Sequence, residues 1–253
     1  MKLKVLGCYG GNIPGHGMTS LLLNDTVALD AGWATEALTL RQQVRLKDIV
    51  ISHSHLDHTC CLPFLIDNNY SAPGFSLRIY GIKEVIAAMK SHLFNNHTWP
   101  DFTCLPNDLT PVLKLVEVEP EQPFHVNGLR IRAVPVSHLV PTTGFIVEDK
   151  KGAIAFSSDT GPTLRFWEVV NEVKNLKAVI TETSFPNELH ELAHVSGHLT
   201  PATLDLELSK LKKKVPVYVY GFKPKHVAAL VRQIRGLKRR NLHLLEQGRT
   251  YHF

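Results

Sequence analysis

Short apolar runs separated by turn residues organise this chain, and several of them end in a residue that can carry chemistry. Asp48-Ile49-Val50-Ile51 is a β-branched run of the kind that forms a buried strand. Thr26-Val27-Ala28-Leu29, Ala153-Ile154-Ala155-Phe156 and Ala178-Val179-Ile180 read the same way, whereas Leu129 to Pro135 alternates apolar and basic residues as a half-exposed strand does. A helical stretch is expected around Ile82 to Leu93. Thr200-Pro201 is a helix start, an N-cap followed by proline at the first helical position, with helix formers from Ala202 to Leu211. One set of strands, a helical middle and a second set of strands and helices predict a mixed α/β fold, and its two βαβ-rich halves suggest a diverged repeat.

The residues that follow the strands change the picture. Directly after the run at Ile49 comes Ser52-His53-Ser54-His55-Leu56-Asp57-His58, three imidazoles and a carboxylate within six residues. A chain leaving the strand still extended projects His53 and His55 to one side, where both can grip one metal. Asp57 and His58 come after the strand has ended and are free to address a second. Imidazole and carboxylate donors suit zinc, and also manganese or iron, while the absence of thiolates argues against an iron–sulfur or structural zinc site.

Further candidates sit at later strand ends. His138 follows the alternating strand, Asp159 lies in the turn Ser157-Ser158-Asp159-Thr160-Gly161 where it could bridge two metals, and Asp30 ends the strand at Leu29. Each alone is weak, because an Asp before Thr-Gly or Ala-Gly is usually turn chemistry. Together with the histidine cluster they point to a metal centre.

In these motifs the chain resembles the metallo-β-lactamase superfamily, which has an H-x-H-x-D-H motif, an upstream strand-end Asp, a later lone His and a bridging Asp in this order. The resemblance implies a four-layer αββα sandwich across residues 1–253 as one domain, with two divalent metals at the shared edge of its sheets. Val5-Leu6-Gly7-Cys8-Tyr9-Gly10-Gly11 and Thr19-Ser20-Leu21-Leu22-Leu23 look like that family's first hairpin. Within the superfamily, Thr183-Ser184-Phe185-Pro186, Ser196-Gly197-His198-Leu199-Thr200-Pro201 and Phe222-Lys223-Pro224 are similar to the class II cyclic nucleotide phosphodiesterases. The tRNA 3′-end-processing nucleases share a Gly-His element near His198 and are the competing resemblance. The resemblance implies His53, His55, Asp57, His58, His138 and Asp159 as metal ligands. In that phosphodiesterase group a His precedes the hydrophobic-Lys-Pro element as last ligand of the second metal; here the position is Gly221, and His226 is the candidate substitute. Cys61 stands where the family has Gly, a change expected to affect packing.

The expected chemistry is hydrolysis of a phosphodiester, such as a 3′,5′-cyclic nucleotide like cAMP, to the monophosphate. A metal lowers the pKa of bound water towards about 7 and neutralises phosphate charge. Asp57 is expected to orient the attacking water and His198 to protonate the leaving oxygen, since His198 precedes a helix N-terminus that favours an anion. Glu182 and Thr183, on the same rim, are candidates to orient it. Phe94, Trp99 and Phe102 could stack on a base, although burial is the simpler reading. RNA cleavage, a non-catalytic binding role and thioester or lactam hydrolysis are the alternatives.

Composition adds limits. The 253 residues, 44% of them hydrophobic, suit one globular domain. No apolar stretch approaches the roughly 18 residues of a membrane span, and the opening lacks a signal peptide's apolar region, so no membrane partner is expected. Four cysteines without a Cys-x-x-Cys pair read as reduced thiols, and the two features together predict a cytoplasmic protein. The net charge of +5 is concentrated partly between Lys210 and Arg240, which would attract phosphate-bearing ligands, small or nucleic acid, or simply solvate two helices. Superfamily members often form a homodimer, but no isolated apolar stripe marks an interface in this sequence.

Overall fold

The expected strands pair into two sheets of seven in a computed structural model describing residues 1–253. In chain order the first sheet takes β1 (Lys2–Gly7), β2 (Ser20–Leu23), β3 (Val27–Leu29), β4 (Asp48–Val50), β5 (Leu77–Gly81) and β6 (Leu113–Glu117). The second takes β7 (Pro123–Val126), β8 (Leu129–Pro135), β9 (Thr143–Glu148), β10 (Ala153–Phe156), β11 (Leu176–Glu182), β12 (Val217–Tyr220) and β13 (Leu242–Leu244). The last strand, β14 (Thr250–His252), crosses back to pair with β1, Lys2 opposite His252.

Each sheet is half antiparallel and half parallel. From β14 through β3 the neighbours run antiparallel, and from β3 through β6 they run parallel. From β7 through β10 the neighbours are again antiparallel, and from β10 through β13 parallel. This equivalence gives the suspected repeat a structural counterpart. The switch falls at β3 in one sheet and β10 in the other, the strands that lead into Asp30 and Asp159. Open sheets bind ligands at the carboxyl ends of strands near such a switch.

The side chains of β10 show how the layers form. Ile154 and Phe156 join the core between the sheets, while Ala153 and Ala155 join a second core under helices carrying Phe166, Trp167, Leu204 and Leu230. A strand buried on both faces needs a continuous apolar run, which is what the sequence supplies there. Leu62, Leu65 and Ile66, from the helix Leu62–Asn69, cover the first sheet. Two sheets with helices outside each make the four-layer αββα sandwich expected from the sequence.

Two expectations about helices change. The stretch Ile82 to Leu93 divides into an α-helix, Lys83–Ala88, and a π-helical turn, Met89–Leu93. The helix after Thr200 is Pro201–Leu208, shorter than read, with the Thr200 side chain accepting from the Thr203 N–H. No helix is long and apolar enough to cross a membrane.

Candidate metal centre

Two strand-end loops deliver three imidazoles to one point. After β4 the chain bends at Ser52 and Ser54 and reaches His55, the N-cap of the helical turn Leu56–Thr59. His53 Nε2 therefore comes within 3.1 Å of His55 Nδ1, and His138, beyond β8, places its Nε2 3.2 Å from the same atom. Nitrogens bound to zinc at about 2.0–2.1 Å in a tetrahedron lie roughly 3.3–3.4 Å apart, so the tripod already has the spacing of a metal site.

The other ring nitrogens fix the tautomers. His138 Nδ1 donates to the Gly197 carbonyl at 2.9 Å. His53 Nδ1 donates to Ser52 Oγ at 3.0 Å, and the Ser52 hydroxyl donates in turn to Asp30 at 2.8 Å. Both arrangements leave the Nε2 lone pairs facing the tripod centre. Burial, and then the neighbouring imidazoles, push His53 well below the ordinary histidine value, and burial lowers His55 and His138 as well. Neutral imidazoles are what a metal requires.

Asp30 and Asp159 hold the fourth imidazole. His58 is completely buried, its Nδ1 2.7 Å from Asp30 Oδ2 and its Nε2 3.4 Å from Asp159 Oδ2. That Nε2 makes no hydrogen bond, so a buried nitrogen is left pointing at the site. Burial alone would lower the His58 pKa, but the charges of Asp159 and Asp30 raise it well above the usual value. Asp159 shows the converse: burial would raise it, and His58, followed by His198 and His53, holds it well below the carboxylate range. Three groupings bring donor atoms close enough for a metal: His53, His55 and His138; His53, His58 and Asp159; His138, Asp159 and His198. An orphaned buried nitrogen and an all-imidazole and carboxylate donor set fit a divalent ion here.

A buried acid–base pair faces the tripod. The His198 ring centroid lies 5.0 Å from that of His138, and its Nδ1 is 3.1 Å from Glu182 Oε1. Glu182, fully buried at the end of β11, also accepts from the Leu199 and Thr160 N–H groups, at 3.1 and 3.3 Å, and from the Ser184 hydroxyl at 2.9 Å. Burial works against protonation of His198, and the Glu182 carboxylate overcomes it, so the His198 pKa is raised.

Some sequence-predicted residues stand apart. Asp57 joins none of the metal groupings, and its carboxylate points towards Lys223. His226 is not brought to the centre either: Phe185 lies between, its ring 5.7 Å from His198 and 6.3 Å from His226. Phe94 and Phe102 are buried, and Trp99 packs edge-on against Phe64, so this trio is core rather than a base platform. Cys61 is buried and receives the Thr35 hydroxyl, in keeping with a packing role. Among the late basic residues, Lys210 and Arg239 pair with Glu207 and Asp205, as solvated helix faces do. Sequence reading noticed Ser184 and Lys223 only as parts of motifs; no local pattern assigns either one a contact.

Comparison with known proteins agrees with this geometry. Residues 34–227 match the family of class-II cAMP phosphodiesterases. A 3′,5′-cyclic-nucleotide phosphodiesterase of Aliivibrio fischeri is 28% identical over 249 residues, covering 81% of this chain and 72% of that protein. A ribonuclease Z of Metallosphaera sedula is 24% identical over 159 residues, 60% of this chain and 50% of its own length. Among solved structures, unliganded yeast PDE1 superposes with a TM-score of 0.81 over 98% of both chains at 19% identity, a likeness of fold.

Proposed function

Because the chain belongs to the class-II cAMP phosphodiesterase family, we propose that it is a metal-dependent hydrolase that opens a 3′,5′-cyclic nucleotide, cAMP first among them, to the monophosphate. The observation that carries the reading is a three-imidazole tripod set opposite a histidine that is hydrogen-bonded to the buried Glu182 carboxylate. His53, His55, His138 and Asp159 would hold the metal, with His58 on the far side of Asp159. Zinc fits these donors first, and manganese or iron also suits them. When bound, the metal supplies positive charge for the phosphate oxygens and an acidified water.

The chain's own groups do the rest. Asp57, at the rim, would accept a proton from the attacking water. As a P–O ester bond breaks, the leaving oxygen needs a proton, and His198 is the donor in reach of the tripod. Glu182 favours the charged form of that imidazole and fixes its Nδ1, so the Nε2 proton is the one given away.

The test is hydrolysis of cAMP by protein loaded separately with zinc and manganese. Turnover is expected, and His198→Ala should lower kcat by about 10²- to 10⁴-fold while keeping its metal content. No turnover with either metal would overturn the substrate assignment. The ribonuclease Z match supports a second reading, cleavage of RNA, which predicts activity on structured RNA that falls steeply with salt. A cytoplasmic setting is proposed as well, supported by four unpaired cysteines.

A further inference from the structure

We propose that this chain holds one divalent ion rather than two, and that the Lys223 ammonium, standing against Asp57, is the fixed positive charge at the second position. The inference rests on the metal-hydrolase reading and concerns how its centre is built.

The donor count comes first. Only His53, His55 and His138 form a grouping whose members are all strand-end imidazoles. Each of the other two groupings borrows one of these, His53 in one and His138 in the other. A ring nitrogen serves one metal, so once the tripod is filled one remaining grouping keeps only His58 and Asp159, and the other only Asp159 and His198. Two protein ligands fall short of the three or more that hold a catalytic zinc.

The missing donors have physical reasons. Gly221 follows β12 with φ +84°, a conformation that a side-chain-bearing residue adopts only with strain. Its backbone is pinned there by the N–H, which donates to Cys8 O at 2.9 Å. A Cβ at 221 would come within 3.3 Å of Glu182 Cβ, so the position is shaped for glycine. Asp57, the other expected ligand, has turned to a cation already present: its Oδ2 is 3.8 Å from Lys223 Nζ.

Lys223 is placed by backbone it does not control. Its N–H donates to Ser184 O at 3.2 Å, and its side chain runs over Gly10, where a Cβ would meet Nζ at 3.2 Å and Cδ at 3.3 Å. The nearest atom to such a Cβ is the Gly221 carbonyl oxygen at 2.8 Å, so glycine at position 10 answers first to that backbone approach. A cation held there, partly exposed, suits a phosphate oxygen not reached by the single metal.

Metal content after equilibrium dialysis against zinc, and the paramagnetic resonance spectrum of the manganese-loaded protein, test the first half. The expected result is one equivalent, an uncoupled manganese spectrum, no loss of metal in Asp57→Ala and complete loss in His55→Ala. Two equivalents, with one lost in Asp57→Ala or a spin-coupled spectrum, would overturn it. For the second half, calorimetric titration of the metal-loaded protein with inorganic phosphate should weaken about tenfold in Lys223→Met and recover in Lys223→Arg. Unchanged phosphate affinity in Lys223→Met would overturn the role of the ammonium. Neither readout depends on which ester is cleaved: two metals with cAMP turnover would sink this inference alone, and one metal without turnover would sink the substrate assignment alone.

Discussion

Asp159→Ala is expected to lose its metal and at least about a thousandfold in hydrolysis, while remaining folded. Asp159 is the only carboxylate that joins a metal grouping, and it appears in two of the three. Its charge faces His58 at 3.4 Å and His198 at 4.0 Å, so it anchors the ion, the buried fourth imidazole and the acid at once. Removing it leaves three imidazoles that still converge but no carboxylate beside them to balance a divalent charge. Metal content and cAMP turnover, measured on the same sample with circular dichroism as the folding control, decide the matter. Retention of a full equivalent of zinc in Asp159→Ala would show that the ion sits elsewhere.

Asp30→Ala should strike stability instead, by about 3–5 kcal/mol in denaturant unfolding. Asp30 is fully buried and accepts three hydrogen bonds, from the Ser52 N–H and hydroxyl at 2.8 Å each and from His58 Nδ1 at 2.7 Å. Alanine leaves these donors unpaired and takes away one of the two carboxylates that keep a buried imidazolium tolerable. The backbone adds to the loss, because Asp30 sits at φ +57°, where Asp is tolerated better than Ala. The ordering of His53 through Ser52 fails too, so metal affinity should drop by about 10- to 100-fold. A variant as stable as the wild type in urea would show that the Asp30 network is not what holds this corner. The two aspartates follow equivalent strands of the two sheets, yet one substitution is read in metal content and the other in unfolding.

What could be read from the sequence was local. The strands at Ile49, Leu129 and Ala153 are runs of a few residues whose apolar pattern needs no partner to be seen, and the residues just after them, His53, His55, His138 and Asp159, came with them. Asp30 was visible for the same reason. The pairing of β1 with β14 was not, since nothing in Lys2–Gly7 points to Thr250–His252. The π-helical turn at Met89–Leu93 was hidden because its side-chain spacing passes for an ordinary helix over so short a length. Asp57 shows the limit best. Its place in the motif suggested a metal ligand, and nothing local foretold that its carboxylate would lie 3.8 Å from Lys223 Nζ of a remote segment. The hub at Glu182 was half legible: a carboxylate at a strand end is visible, but the backbone N–H groups of Thr160 and Leu199 that hold it are not.

The origin of the ligands has a consequence for how the molecule comes together. His53, His55 and His58 leave the first sheet, whereas His138 and Asp159 leave the second, so neither half of the chain owns a complete coordination sphere. A bound ion would rivet the two sheets together. It would be captured in full only after they have docked, and its binding free energy would then oppose their separation. Metal supply would set not only how fast this protein works but how long its two halves stay joined.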